Sequence, residues 1–122
     1  MSAWPTEIRL SEDKRLLTVT FDDASVYALT AEMLRVFSPS AEVQGHSAAE
    51  RKTVGGKERV TILGVEPVGN YAVRLVFDDM HDTGLYTWTY LAELGAQKEE
   101  RWAAYLAELQ AKGLSRDRPG QR

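Results

Sequence analysis

The sequence predicts an α+β domain: a mainly antiparallel sheet of five or six strands, a short helix before a long loop, and two C-terminal helices. Three observations carry this reading. Residues 7–29 alternate polar and apolar side chains in short runs separated by polar turns. Further on, Tyr71, Val73, Leu75 and Phe77 fall on one side of an extended chain. Near the C-terminus, Trp102, Tyr105, Leu106 and Leu109 recur at helical spacing and form one apolar stripe.

Taken in order, Glu7-Ile8-Arg9-Leu10 reads as a half-buried strand, and Ser11-Glu12-Asp13-Lys14 as the turn after it. Leu17-Thr18-Val19-Thr20-Phe21 is a second strand, Asp22-Asp23-Ala24 a tight turn, and Ser25-Val26-Tyr27-Ala28-Leu29 a third strand, giving an antiparallel meander. The Thr30 hydroxyl can accept from a free amide of the next turn, so a short helix follows through Val36, and Pro39 prevents its continuation. Residues 38–57 have no period and read as a long loop closed by Gly55-Gly56. Regular structure resumes at Arg59-Val60-Thr61-Ile62-Leu63, with Gly64 and Pro67-Val68-Gly69-Asn70 as punctuation before the strong strand from Tyr71. Asp78 to Gly84 is a polar turn, and Leu85-Tyr86-Thr87 a short last strand whose Thr87 can cap a helix carrying Trp88, Leu91 and Leu94. Gly95 is the expected stop of that helix. A helix over 97–112 ends at Gly113, so residues 1–113 read as one domain and 114–122 as a disordered tail.

The totals exclude several classes. A chain of 122 residues holds one core. Its net charge of -3, with acids and bases interleaved, argues against a nucleic-acid or membrane-surface binder. No run approaches the ~18 apolar residues of a membrane span. The Met1-Ser2-Ala3-Trp4-Pro5 start has no basic stretch followed by an apolar run, so it does not read as a signal peptide. With no cysteine, there is no disulfide, thiol chemistry or Cys-based metal site, which fits a cytoplasmic protein. The expectation is a monomer or weak homodimer that uses no cofactor.

Chemistry is scarce. Of the two histidines, His46 and His81, the second is the better candidate, because Asp79 and Asp82 flank it and a carboxylate can orient its ring. Tyr86 and Trp88 nearby could line a groove with Arg35, although a Trp at that place also suits the core beneath a sheet. No Gly-x-Ser-x-Gly elbow exists, and Gly55-Gly56-Lys57 lacks the spacing of a phosphate loop.

Four segments together are distinctive: Pro5-Thr6-Glu7-Ile8, Leu34-Arg35-Val36, Val68-Gly69-Asn70-Tyr71-Ala72-Val73, and Asp79-Met80-His81-Asp82-Thr83-Gly84-Leu85-Tyr86-Thr87-Trp88. Over about residues 5–94 the chain resembles the small bacterial proteins related to the N-terminal domain of γ-butyrobetaine hydroxylase, a domain family of unknown function. Its last segment looks like the family's Asp-Gly-His-x-x-Gly-Ile-Tyr-x-Trp signature. In many relatives a Cys-x-Cys-x-x-Cys pattern and the signature histidine make a zinc site. Here Ser38, Ser40 and Val43 stand at the cysteine positions, so of the four implied ligands only His81 remains, and no metal is expected. The resemblance implies a hydrogen bond from His81 to Ser38 or Ser40 in place of the metal. It does not imply hydroxylase activity, because the iron and 2-oxoglutarate chemistry belongs to a separate catalytic domain.

The functional expectation is a non-catalytic binding or accessory module that contacts a protein partner through the His81 turn, the 38–57 loop, or both. Fusions of similar domains to iron–sulfur carrier ATPases imply a link to iron–sulfur or redox-cofactor metabolism. The alternative is a small-molecule binder or small enzyme with a groove lined by Arg35, His81, Tyr86 and Trp88.

Overall fold

The computed structural model describes residues 4–40, 43 and 53–117. The first three strands form the expected meander: β1 (Pro5–Leu10), β2 (Leu16–Phe21) and β3 (Val26–Thr30), antiparallel with β2 in the centre. Alternation along β2 buries Leu17, Val19 and Phe21 on one face. Thr30 ends β3 and at once caps α1 (Ala31–Val36), its Oγ1 accepting from the Met33 amide at 3.0 Å.

A second meander follows, with β4 (Ile62–Val68), β5 (Ala72–Phe77) and β6 (Leu85–Thr87) antiparallel and β5 central. The six strands therefore make two three-stranded sheets, which corrects the expectation of one sheet of five or six. The reason lies in what closes the edges. β3 runs straight into α1, and its other edge meets no strand but the side chain of Lys98, the first residue of the last helix, whose Nζ donates to the Ala28 carbonyl at 2.7 Å. The sheets meet near the β1–β2 turn, where Ile62 N–H donates to the Lys14 carbonyl at 2.8 Å. Leu17, Val19 and Leu29 from one sheet share a single core with Ile62, Leu75 and Phe77 from the other.

β4 also differs from its reading. It continues through Gly64 and Pro67, with a register shift between Ile62 and Gly64 that leaves Leu63 exposed in a bulge. Proline is tolerated because β4 pairs only with β5, so the missing N–H costs no ladder bond on the open side. Tyr71 lies before β5 and is exposed rather than on its apolar face.

Two further helices follow among the described residues. α2 (Trp88–Ala96) is capped by Thr87 Oγ1, which accepts from the Tyr90 amide at 3.1 Å. Gly95 lies inside α2 and is not its stop: a Cβ there would fall 2.1 Å from Cγ of Tyr27. α3 (Lys98–Ala111) buries Tyr105 and Leu109 and sets the Tyr105 ring edge-on to Phe37 at 6.0 Å. Its stripe is narrower than expected, since Trp102 is half-buried and Leu106 is 40% exposed. Gly113, at φ 67°, turns the chain back after α3. Residues 114–117, expected to begin a disordered tail, make defined contacts: Ser115 and Arg116 carbonyls accept from the Gly56 and Glu58 amides at 2.8 and 3.1 Å. Of the long loop expected over 38–57, residues 41–42 and 44–52 lie outside the described residues, and His46 with them. No helix among the described residues is long and apolar enough to cross a membrane.

Candidate functional site

The β5–β6 turn sorts its side chains by backbone geometry. Met80 N–H donates to the Phe77 carbonyl at 3.1 Å, and Phe77 N–H to the His81 carbonyl at 3.0 Å, so the turn closes on itself. Closure places Met80 at φ 74° with its side chain outward, 86% exposed, and turns His81 inward to 5% exposed. The signature glycine that Met80 replaces is explained by this left-handed backbone, which costs a side-chain-bearing residue about 1–2 kcal/mol. Met80→Gly is therefore expected to stabilise the fold by about 0.5–1 kcal/mol after the glycine's greater unfolded-state entropy is set against the relief. A higher urea midpoint with unchanged slope checks it.

His81 reaches across to the start of the long segment. Its Nε2 is 2.9 Å from Ser38 Oγ, and its ring centre is 6.2 Å from that of Phe77. Ser38 Oγ accepts from the Ser40 amide at 3.3 Å, and the Ser40 and Thr83 hydroxyls pair at 2.7 Å. Val43 is buried, and its amide donates to the Ser40 carbonyl at 3.0 Å. Gly84 permits this approach, because a Cβ there would fall 2.6 Å from Ser38 Oγ. Ser38, Ser40, Val43 and His81 are thus brought into one buried cluster, and the expected His81–Ser38 bond is present. As a metal site the cluster does not fit: two hydroxyls and an isopropyl group are not zinc ligands, and the remaining imidazole is already bonded. Among the described residues no three His, Asp or Glu side chains converge as metal ligands.

Asp79 organises the charge. Its Oδ2 accepts from Arg35 Nε at 2.7 Å and Lys57 Nζ at 2.6 Å, and its Oδ1 from the His81 amide at 3.1 Å. Burial opposes ionisation, but Lys57, the His81 amide and Arg35 outweigh it and hold Asp79 at about 2, below the ordinary 3.8. Because the folded value is depressed, the stabilisation is complete above the unfolded value. It fades as pH falls from about 4 towards about 2, and for this largely buried carboxylate amounts to on the order of 2 kcal/mol. Asp79→Asn is expected to lose that amount near neutrality, and in urea titrations its difference from the parent protein should shrink from about pH 4 downwards and disappear only below about 2. One guanidinium nitrogen, Arg35 Nη1, is buried and has no hydrogen-bond partner among the described residues.

Tyr86 is fully buried and donates to the Leu34 carbonyl. Burial raises its pKa well above the ordinary 10.0, with the Ser38 hydroxyl acting in the opposite direction. Of the candidate binding residues, the structure links Arg35, Asp79, His81 and Tyr86 through Ser38 and α1. Trp88 and Asp82 stand away from this linkage. Trp88 Nε1 donates to the Asn70 carbonyl at 2.8 Å, and Asp82 is half-exposed beside Arg74 at 3.5 Å. Sequence reasoning missed Lys57 and Thr83. Thr83 sat within the signature and could have been read as a hydroxyl partner; Lys57 was visible only as the residue after a glycine pair.

Comparison with known proteins bears on the whole chain. Residues 8–92 match the family described as gamma-butyrobetaine hydroxylase-like, N-terminal. Two solution NMR structures are similar: one at 48% identity and TM-score 0.85, covering 100% of this chain and 95% of the other, the second at 44% and 0.82, covering 96% and 87%. A crystal structure from Acidithiobacillus ferrooxidans, of a DUF971-family protein with unknown function, is 42% identical with TM-score 0.63, covering 75% of this chain and 92% of that one. No curated protein matches. With the signature turn, the serine–histidine cluster and most of both sheets inside the matched residues, the chain belongs to the gamma-butyrobetaine hydroxylase-like N-terminal family.

Proposed function

We propose that this domain is a non-catalytic binding module that contacts a protein partner through the turn carrying Met80. The observation that supports it is the division of labour within the signature. His81 and Tyr86 spend their polar groups on Ser38 and Leu34 inside the fold, while Met80 is held outward on a left-handed backbone. Met80, at 86% exposure, adds little to the core, so the local cost of its conformation suits a contact better than folding. A flexible thioether beside the Arg35–Asp79–Lys57 ion cluster is an adaptable apolar contact within a polar rim. On this reading the serine–histidine cluster is what remains of a metal site. The protein would work in the cytoplasm, with a partner in iron–sulfur or related redox-cofactor metabolism. The alternative, a small-molecule groove around His81, is weaker because a histidine only 5% exposed is not offered to a ligand.

The test places a photo-crosslinking benzoylphenylalanine at position 80 and, as control, at the exposed Val26 on the other sheet. After irradiation in an extract of the source cells, a discrete protein adduct is expected from position 80 alone. No adduct there, with a small molecule co-purifying in stoichiometric amount, would replace the module with the groove.

A further inference from the structure

Arg116 occupies a socket built from three separate parts of the chain. Its Nε and Nη2 donate to the two carboxylate oxygens of Glu32 at 2.9 and 2.8 Å, a two-point fork. Nη1 lies 3.3 Å from Glu58, and the guanidinium carbon stands 5.4 Å from the centre of the Trp102 ring. Glu32 is 6% exposed, and a carboxylate so buried requires a cation partner. The backbone is gripped as well, through the Gly56 and Glu58 amides on the Ser115 and Arg116 carbonyls. Two carboxylates, an aromatic face and two amide donors together recognise an arginine within an extended peptide; a lysine ammonium lacks both the fork and the flat face.

The peptide now in the socket is the chain's own, held by that one side chain and by the two backbone hydrogen bonds. Leu114, Ser115 and Asp117 are all exposed. Beyond the arginine, a groove of about 510 Å³ continues between α1 and α3, with Met33, Trp102, Ala103 and Leu106 as apolar walls. Of residues 114–117 only Arg116 borders it.

We propose that the Glu32–Glu58–Trp102 socket is an arginine-recognition site for a partner segment, and that Arg116 is its intramolecular competitor. The occupant is an extended segment in which arginine is next to a large apolar residue, the first replacing Arg116 and the second filling the groove against Met33 and Leu106. Because the tethered arginine competes at high effective concentration, the partner binds only where its apolar residue adds what the chain's own segment lacks. The site shares no side chain with the Met80 turn and does not depend on the reading of that turn.

The experiment titrates the full chain with acetyl-Arg-Leu-amide and with its Lys-Leu counterpart, followed by NMR at the Gly56 and Glu58 amides and the Trp102 indole. Arg116→Ala is expected to bind the arginine dipeptide at least about tenfold more tightly than the unaltered chain, and the lysine dipeptide at least about tenfold more weakly than the arginine one. Adding Glu32→Gln should abolish the shifts. If Arg116→Ala does not fold, the unaltered chain decides: a saturating arginine dipeptide should move the Ser115 and Asp117 amides towards random-coil shifts as the native segment leaves. No shift in either protein up to about 10 mM dipeptide, or equal response to arginine and lysine, would make Arg116 a fixed structural clamp and overturn the proposal.

Discussion

Gly95→Ala is expected to destabilise the protein by about 2–3 kcal/mol, opposite in sign to the usual effect of this change in a helix interior. Alanine there ordinarily gains about 1 kcal/mol over glycine. Here the new methyl carbon would stand 2.1 Å from Tyr27 Cγ and 2.5 Å from both neighbouring ring carbons, well inside van der Waals contact. The contact is at the base of the ring, which moves only with the Tyr27 backbone in β3, and the ring also meets Phe21 edge-on with centres 6.0 Å apart. Overpacking of this kind costs about 1–3 kcal/mol or more, enough to outweigh the propensity gain. A double-mutant cycle isolates the cause: in a Tyr27→Ala background, Gly95→Ala should become neutral or stabilising. If the loss persists without the Tyr27 ring, the contact between α2 and β3 is not what requires glycine.

The second large effect is at His81. His81→Ala is expected to cost about 2–4 kcal/mol, through the loss of a buried ring packed on Phe77 and of the bond to Ser38. Ser38→Ala removes only the hydroxyl and should cost about 1 kcal/mol. Urea unfolding of both variants checks the order. A His81→Ala variant as stable as the parent would remove the structural role assigned to the cluster.

How much of this was legible in the sequence depends on the range of the interaction concerned. Local chemistry was readable: alternation along β2, and Thr30 and Thr87 as caps. The approach of His81 to Ser38 is long-range and was implied only by the family resemblance, which left Ser38 and Ser40 as alternatives. The division into two sheets was not. Alternation shows which face of a strand is buried but not which strand lies beside it, and a helix on the edge of β3 leaves the same pattern as another strand would. Gly95 was misread for a related reason. Glycine near the end of an apolar helical stretch looks like a stop, whereas its need for space comes from Tyr27, far away in sequence. Lys57 on Asp79 and Arg116 on Glu32 are long-range ion pairs between charged residues with many equivalents in the chain, so no local signal marks them.

His81 is locked inside the fold as a structural side chain, and the turn points Met80 outward instead. The most direct measurement is acylation of the native protein by diethyl pyrocarbonate, with modified histidines located by mass spectrometry and the urea-unfolded chain as reference. His81, at 5% exposure with Nε2 on Ser38, should react at least about tenfold more slowly in the native protein, and Ser38→Ala should raise its rate. Native His81 reacting as fast as in the unfolded chain would contradict the account and return the imidazole to a reachable groove.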